Sequence, residues 1–290
     1  FWNGIYFQYG AWFSDTANGQ PDVCYLRCYK MSDGGVFERQ CCILHIDFRN
    51  IDADDICTVY FNLAAKSLIW SVKNMKIIRT VLGDIPADQI GATDAHDHLI
   101  RSGGPEIKLD PAFLMDDVET AKKEFGRFLD AGGRTMVCMD PIGCGRNVSK
   151  MLKVAKAYEG KGNIVMTTGF QKGGNYCPNT SFLATVDTNI VAKYMIAEVA
   201  EGMDLNSYNG PYVERTIAKA GVIKAGTSYR IITKLEQKAL AVAAITQKET
   251  GCPISMHTDF GTMGPEILDE IEKNGGKPEK TVLCHMQRNP

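Results

Sequence analysis

The sequence predicts an α/β fold in which short parallel strands alternate with helices that cross over between them. From Met75 onward, short apolar runs alternate with longer amphipathic stretches rich in Ala, Lys and Glu, an order typical of a parallel sheet. Polar and ionisable residues also recur where the apolar runs end. These observations favour either a barrel or a doubly wound sheet.

Six strands and three helices can be delimited from the pattern. The predicted strands are 91–96, 135–140, 164–170, 222–227, 253–258 and 281–286, and the predicted helices are 116–130, 148–158 and 235–250. The last helix has the clearest signals, because Thr233 and Glu236 form a T-x-x-E capping box before it and Gly251 follows it.

Composition and charge exclude several classes of partner. The chain has 290 residues, a formal net charge of -2 and 44% hydrophobic residues, so no basic excess favours a nucleic acid or a membrane surface. No run of 18 apolar residues and no secretory signal can be recognised. The five cysteines after residue 75 lack the spacing of a disulfide framework and are expected to be single buried thiols, which favours a cytoplasmic location. Small-molecule substrates or protein partners are therefore favoured over nucleic acids and membranes.

Residues 1–74 have a different pattern and are interpreted as a separate β-rich segment, either a fused domain or a mispredicted exon. Aromatic and β-branched residues are frequent there, and Asn18-Gly19 and Asp33-Gly34-Gly35 are turn signals, which predicts short antiparallel strands, including a hairpin around Asp33. The pairs Cys24-x3-Cys28 and Cys41-x3-His45 resemble a zinc-finger spacing, because twelve residues separate Cys28 from Cys41. The intervening hairpin and the neighbouring Cys42 count against that zinc site.

Four of the five histidines lie at or near the ends of predicted strands. His96 and His98 flank Asp97 in the stretch T-D-A-H-D-H-L, and His257 and His285 end two later strands. In a strand, His96 and His98 would share one face, where two imidazoles can bind one metal ion. One such histidine is as often a packing residue as a ligand, but four together indicate a functional site. In a (β/α)8 barrel, this edge of the sheet is where active sites are built.

Lys224 lies inside the apolar strand G-V-I-K-A-G-T-S, where an isolated charge would be costly to bury. Its side chain must be paired, extended to solvent or modified. Burial lowers the pKa of a lysine, and a neutral amine can react with carbon dioxide to form a carbamate. A salt bridge to Asp140 or Asp259 is the alternative.

A series of motifs in order resembles the phosphotriesterase-like branch of the metal-dependent amidohydrolases. The motifs are H-D-H at 96–98, D-P-I-G-C-G-R at 140–146, T-T-G-F at 167–170, I-K-A-G-T-S at 223–228, Q-K-E-T-G-C-P-I-S-M-H-T at 247–258 and C-H-M-Q-R-N-P at 284–290, and M-K-I-I-R-T-V-L-G at 75–83 is similar to the family's start. No G-x-G-x-x-G follows the first strand, so a nucleotide-binding fingerprint is poorly supported.

The resemblance implies a TIM-type (β/α)8 barrel over 75–290 that holds two divalent metal ions. By resemblance His96 and His98 bind one ion, a carboxylated Lys224 bridges both and has a catalytic role, and His257 and His285 bind the second. Zinc is the first expectation, with Mn, Co and Fe as alternatives. The implied activity is a binuclear metal-dependent hydrolase that acts through a metal-bridging hydroxide on an ester, a phosphotriester or a lactone, such as a phosphorylated sugar lactone.

Three further residues are candidates for contact with an anionic substrate at the edge of the barrel. They are Arg288, Tyr176 and Arg146, each with a structural alternative: a surface or capping charge for Arg288, loop packing for Tyr176 and a structural role for Arg146, which opens a helix.

The resemblance also implies two further strands, the last of which carries an aspartate that binds the first metal and accepts a proton from water. Because the sequence ends at Pro290, about six βα units of an incomplete barrel are expected, and the open edges are expected to favour homo-oligomers. Two alternatives stay open: a catalytically impaired homologue that acts as a binding protein, and a cysteine-rich segment at 1–74 that carries the function itself.

Overall fold

The computed structural model describes residues 76–289, together with the backbone of two strands within the first 45 residues. The chain divides into two units, Phe1–Met75 and Lys76–Pro290.

In the first unit, β1 (Val23–Ser32) and β2 (Gly35–His45) form an antiparallel hairpin in which Ser32 pairs with Gly35. This confirms the hairpin predicted around Asp33. The cysteines and the histidine of the zinc hypothesis belong to these two strands, but their side chains lie outside the described part of the chain. That zinc site therefore remains a hypothesis.

The second unit is built on a six-stranded parallel sheet with the order β10-β9-β8-β7-β6-β5. A short antiparallel pair, β3 (Ile77–Thr80) and β4 (Gly83–Pro86), precedes it. The parallel strands are β5 (Thr93–Asp97), β6 (Thr135–Cys138), β7 (Asn163–Gly169), β8 (Ala220–Thr227), β9 (Ile254–Thr258) and β10 (Thr281–Cys284). All six predicted strands are confirmed, and they form an incomplete TIM-type barrel.

Helices connect the parallel strands. They are α1 (Pro105–Leu109), α2 (Val118–Asp130), α3 (Val148–Ala157), α4 (Phe182–Thr185), α5 (Thr188–Ala200), α6 (Lys234–Thr250) and α7 (Gly264–Lys273). The predicted capping box of α6 is present: the Thr233 side chain accepts a hydrogen bond from the Glu236 amide, and the Glu236 side chain accepts one from the Thr233 amide. Gly251 ends the helix with a left-handed φ of 72°. An L-residue at that φ would be strained, which explains the glycine.

The main core lies between the sheet and the helices. Ile223 of β8, Ile254 of β9 and Phe125 of α2 are fully buried within it. In a strand that is buried on both faces, every side chain lies in the core, so the sequence of such a strand is almost continuously apolar. This explains the apolar runs of β7 and β8. The polar side chains that interrupt these runs therefore stand out as candidates for function.

Three of the five later cysteines match the expectation of buried thiols, and two do not. Cys138, Cys144 and Cys252 are buried free thiols, whereas Cys177 is exposed on a loop and Cys284 is half-buried at the end of β10. In the part of the chain that the structure describes, no helix combines the length and the apolar character that crossing a membrane requires.

Candidate metal centre

Four half-buried histidines occupy the carboxyl-terminal side of the sheet. His96 lies within β5 and His98 directly follows that strand, while His257 lies within β9 and His285 directly follows β10. His285 has a left-handed backbone conformation with φ of 65°, which is uncommon for a residue other than glycine.

The histidine rings form a continuous chain of contacts. The ring centroids of His96 and His98 are 5.6 Å apart, those of His96 and His285 are 5.1 Å apart, and those of His285 and His257 are 4.8 Å apart. Residues separated by up to 189 positions in the sequence therefore converge on one site. The structure thus brings together all four histidines that the sequence analysis selected.

Lys224 is buried and unpaired next to these histidines. Its side chain is 1% exposed, and Nζ has no hydrogen-bond partner among the described residues. The salt-bridge alternative is not realised, because Asp140 contacts Arg101 and His98, and Asp259 contacts Lys172. Extension to solvent is excluded by the burial. Neither a salt bridge nor extension to solvent therefore accounts for the lysine in this strand.

Burial and mutual repulsion lower the pKa values of three histidines and of Lys224 at this site. Burial, with the nearby charge of Lys224, lowers the pKa of His96 to about 3 and that of His257 to about 4. The pKa of His285 is lowered for the same two reasons. Burial also lowers the pKa of Lys224 to about 8, although Asp140 opposes that shift. Neutral imidazoles and a neutral amine are the forms that ligate metals and react with carbon dioxide, respectively.

The ring nitrogens of three histidines contact polar side chains. Nδ1 of His98 lies 2.9 Å from Oδ1 of Asp140, and Nδ1 of His96 lies 3.4 Å from the Sγ of Cys284. Nε2 of His257 lies 3.6 Å from Oδ1 of Asp259. When one ring nitrogen is held by such a partner, the other nitrogen is available to a metal ion.

The donor set fits divalent cations, although the side chains do not close around an ion as they lie. Within residues 76–289, no three histidine, cysteine, aspartate or glutamate side chains are grouped closely enough to hold one ion. Four imidazoles around a buried, unpartnered amine nevertheless supply nitrogen ligands of the type that zinc prefers. A carboxylated Lys224 would add the oxygen ligand and would give its orphaned Nζ a chemical role.

Of the three predicted substrate contacts, only Arg288 lies at the exposed edge of the site. Its guanidinium stacks 4.6 Å from the ring centroid of Phe260, which is 49% exposed. Phe260 packs edge-on against Tyr229, and Arg230 covers the Tyr229 ring. Two arginines on two exposed aromatic rings thus form a cationic surface after β8, β9 and β10. We call these four residues the arginine–aromatic surface.

Arg146 and Tyr176 have structural roles away from this edge: Tyr176 packs within its loop as the alternative above states, whereas Arg146 forms a buried ion pair that the sequence did not predict. The Arg146 side chain is fully buried and donates two hydrogen bonds to Glu198, at 2.6 and 2.8 Å. The Tyr176 hydroxyl donates to the Ile142 carbonyl at 2.8 Å and accepts from the Gln171 amide at 2.7 Å. Both are satisfied inside the protein, so we leave them out of the proposed substrate site.

Several residues at the site carried no separate sequence signal. Arg101, Asp140 and Lys172 form ion pairs beside the histidines, and Cys284 contacts His96. Asp140 lies in a motif quoted for the resemblance, two residues after the end of β6, and the only role that the sequence suggested for it was a salt bridge to Lys224. The contacts themselves depend on the convergence of different strands.

Comparisons with known proteins agree on one family. A family model described as "Phosphotriesterase family" matches residues 76–290. A protein named phospho-furanose lactonase from Mycoplasmopsis agalactiae is 54% identical over 215 residues, which are 74% of this chain and 61% of that protein. The phosphotriesterase homology protein of Escherichia coli is 32% identical over 68% of this chain and 63% of that protein.

Solved structures show the same relationship. An amidohydrolase from Mycoplasma synoviae superimposes with a TM-score of 0.73 at 49% identity, over 75% of this chain and 62% of that chain. A lactonase from Listeria monocytogenes gives a TM-score of 0.65 at 29% identity, over 74% of this chain and 66% of that chain. The chain spans about three fifths of the length of the curated relatives it matches. On the family model and these identities, the chain belongs to the phosphotriesterase family.

Proposed function

We propose that residues 76–290 form the metal-binding part of a hydrolase that opens lactones, with phosphorylated sugar lactones as the preferred class. The observation that carries the proposal is the buried, unpartnered Lys224 amine beside four converging histidines. The relatives named phospho-furanose lactonase support the substrate class.

His96 and His98 would hold one divalent cation, and His257 and His285 would hold the second. Lys224 would supply an oxygen ligand to both after its neutral amine adds to carbon dioxide, which forms one N–C bond and releases one proton. The lowered pKa of Lys224 supports this step, because the amine is largely protonated at its ordinary pKa of about 10.4. Zinc is the first candidate, with manganese, cobalt and iron as alternatives.

When bound, such a pair of cations supplies a Lewis acid for the carbonyl oxygen and an acidified water as nucleophile. His96, His257 and His285 would contribute as neutral ligands, since burial and the neighbouring charges lower their pKa values. Lys172 and Asp259 form an ion pair at 2.8 Å, and Oδ1 of Asp259 lies 3.6 Å from Nε2 of His257.

The arginine–aromatic surface would select anionic substrates. Arg288 and Arg230 each lie on an aromatic ring that fixes the plane of the guanidinium. A planar guanidinium binds phosphate oxygens in a bidentate manner. A sugar lactone that carries a phosphate would thus bind with its phosphate towards Arg288 and its ring towards the histidines.

Hydrolysis of matched lactones tests this function. The purified chain would be loaded with zinc, manganese or cobalt and offered a five-membered sugar lactone with and without a 5-phosphate, with ring opening followed by proton release. We expect faster hydrolysis of the phosphorylated lactone, loss of activity with a chelator and recovery on adding metal. Metal binding without hydrolysis of any lactone would instead support a non-catalytic binding protein.

A control variant separates chemistry from recognition. Arg288→Gln should raise the KM for the phosphorylated lactone about 10-fold or more, since a charged hydrogen bond contributes about 1.5–3 kcal/mol, and should leave the neutral lactone unaffected. His257→Ala should abolish hydrolysis of both.

A further inference from the structure

A buried cluster beside the candidate metal centre joins His98 to Asp140 and Arg101. Asp140 is 2% exposed and Arg101 is 6% exposed. Arg101 donates from Nε to Oδ1 of Asp140 at 2.8 Å, and its Nη2 lies 2.9 Å from Nδ1 of His98. The same Oδ1 of Asp140 lies 2.9 Å from the same Nδ1 of His98. Two groups of opposite hydrogen-bonding character therefore compete for one ring nitrogen.

The partner that hydrogen-bonds Nδ1 determines which nitrogen of His98 can bind a metal ion. If Nδ1 carries the hydrogen, it donates to Asp140, and Nε2 has a free lone pair. If Nδ1 instead accepts a hydrogen bond from Arg101, the hydrogen must be on Nε2. A neutral imidazole cannot satisfy both partners through Nδ1, so the choice of partner is also a choice of tautomer.

An unpartnered atom indicates which arrangement is favoured. Oδ2 of Asp140 is buried and has no hydrogen-bond partner among the described residues, which is costly for a carboxylate oxygen. Arg101 already binds the other oxygen of this carboxylate through Nε, and a guanidinium fork matches both oxygens of a carboxylate. If Nη2 turns from His98 to Oδ2, both oxygens of Asp140 are satisfied and Nδ1 of His98 is left to donate to Oδ1.

We propose that Asp140 is a positioning residue that holds His98 in the Nδ1–H tautomer, with Nε2 as its ligating nitrogen, and that Arg101 holds Asp140 in place. This inference rests on the metal site of the proposed function and assigns a role to two residues outside its ligand set. His96, the other histidine of the H-D-H motif, has a different partner. Its Nδ1 contacts the Cys284 thiol, which is a weaker hydrogen-bond partner than a carboxylate. Asp140 should therefore act on His98 alone.

The tautomer can be read directly in the metal-free chain. Long-range ¹H–¹⁵N NMR of the ¹⁵N-histidine-labelled full chain distinguishes Nδ1–H from Nε2–H, and His98→Gln assigns the signals. We expect the Nδ1–H pattern for His98 in the wild type. In Asp140→Asn, which keeps the shape and loses the charge, we expect a shift to Nε2–H for His98 and no change for His96. An Nε2–H pattern for His98 in the folded wild type would overturn the proposal, and this outcome does not depend on the folding of Asp140→Asn.

Zinc affinity gives the second readout, measured by competition with a chromophoric chelator. Asp140→Asn should weaken binding of one zinc ion about 10- to 100-fold, the usual effect of removing a partner that orients a ligating histidine. Asp84→Asn is the matched control, because Asp84 forms a two-contact pair with Arg79, at 2.9 and 3.0 Å, that involves no histidine. Its affinity should equal that of the wild type.

The two possible failures can be told apart. A wild-type chain without affinity for zinc would contradict the proposed function. A wild-type chain that binds zinc, with Asp140→Asn equal to it in both affinity and tautomer, would contradict only the role of Asp140.

Discussion

The imidazole rings of His96 and His285 lie 5.1 Å apart, although β5 and β10 are the two opposite edges of the six-stranded sheet. The edges can approach each other in this way only if the sheet is curled, as in a TIM-type barrel. The curl, rather than any local motif, therefore joins the first pair of histidines to the second pair. Predictions about the site are also predictions about the integrity of this sheet.

Gly169 should be one of the least replaceable glycines near the site. Its φ is 94°, and a Cβ at this position would lie 2.1 Å from the carbonyl oxygen of Lys224. We expect Gly169→Ala to be destabilising and to weaken metal binding, because the backbone of Lys224 must move. Gly160→Ala is the control, since Gly160 has a similar φ of 78° and open space around it. Urea unfolding should show Gly169→Ala less stable than Gly160→Ala by about 1–3 kcal/mol; equal stabilities would refute the close approach.

The buried pair of Arg146 and Glu198 should contribute strongly to stability. Both side chains are fully buried, so Glu198→Gln leaves an uncompensated guanidinium in the core. We expect a loss of about 3–5 kcal/mol in the free energy of unfolding. Glu119→Gln is the control, because Glu119 pairs with Lys122 at the surface and such pairs contribute about 0–1 kcal/mol. A loss for Glu198→Gln as small as that of the control would show that Arg146 is not held by this pair.

The same pair predicts how stability depends on pH. Burial alone would raise the pKa of Glu198, but the charge and hydrogen bonds of Arg146 outweigh it, so the folded-state pKa is lowered. A lowered pKa contributes stability above the unfolded value, about 4.3 for a glutamate, and that stability is lost as the pH falls from there through the folded-state pKa. The stability difference between the wild type and Glu198→Gln should therefore be constant near pH 7 and shrink below about pH 4.3. A difference that grows on acidification would contradict this assignment.

Residues 1–74 should be dispensable for the fold of the second unit. The chain divides at Met75 and Lys76, and the family match begins at residue 76. A chain that begins at Met75 should have the same thermal midpoint as the full chain, measured by circular dichroism. Insolubility of the shortened chain under conditions that keep the full chain soluble would show that the first unit belongs to the core.

Much of the fold could be predicted because its signals are local. The apolar runs of β5 to β10 and the cap of α6 at Thr233 and Glu236 each depend on neighbouring residues, and they are confirmed. The histidines could also be selected, because strand ends in a parallel sheet meet at one edge. Arg146 could not be assigned, since Glu198 is 52 positions away and only the packing of α5 against the sheet creates the pair.

The competition at His98 shows a second limit. The sequence shows an aspartate after one strand and an arginine after another, but not that both reach the same ring nitrogen of a histidine. Such a contact depends on distances of a few tenths of an ångström. Sequence patterns give the residue types and the edge of the sheet, whereas the assignment of a tautomer needs coordinates.

The central claim is that Lys224 is carboxylated and holds metal together with the four histidines, and native mass spectrometry of the full chain tests it most directly. With zinc and bicarbonate present, we expect a species that carries two zinc ions and an adduct of about 44 Da, the mass of carbon dioxide added to a neutral amine. Lys224→Ala should lose the adduct and about half of the metal, and Lys224→Glu should retain metal better than Lys224→Ala because it supplies an anionic oxygen. Lys248→Ala, at an exposed position of α6, should match the wild type. A wild-type chain without the adduct, together with unchanged metal content in Lys224→Ala, would contradict the account and leave Lys224 as a structural lysine.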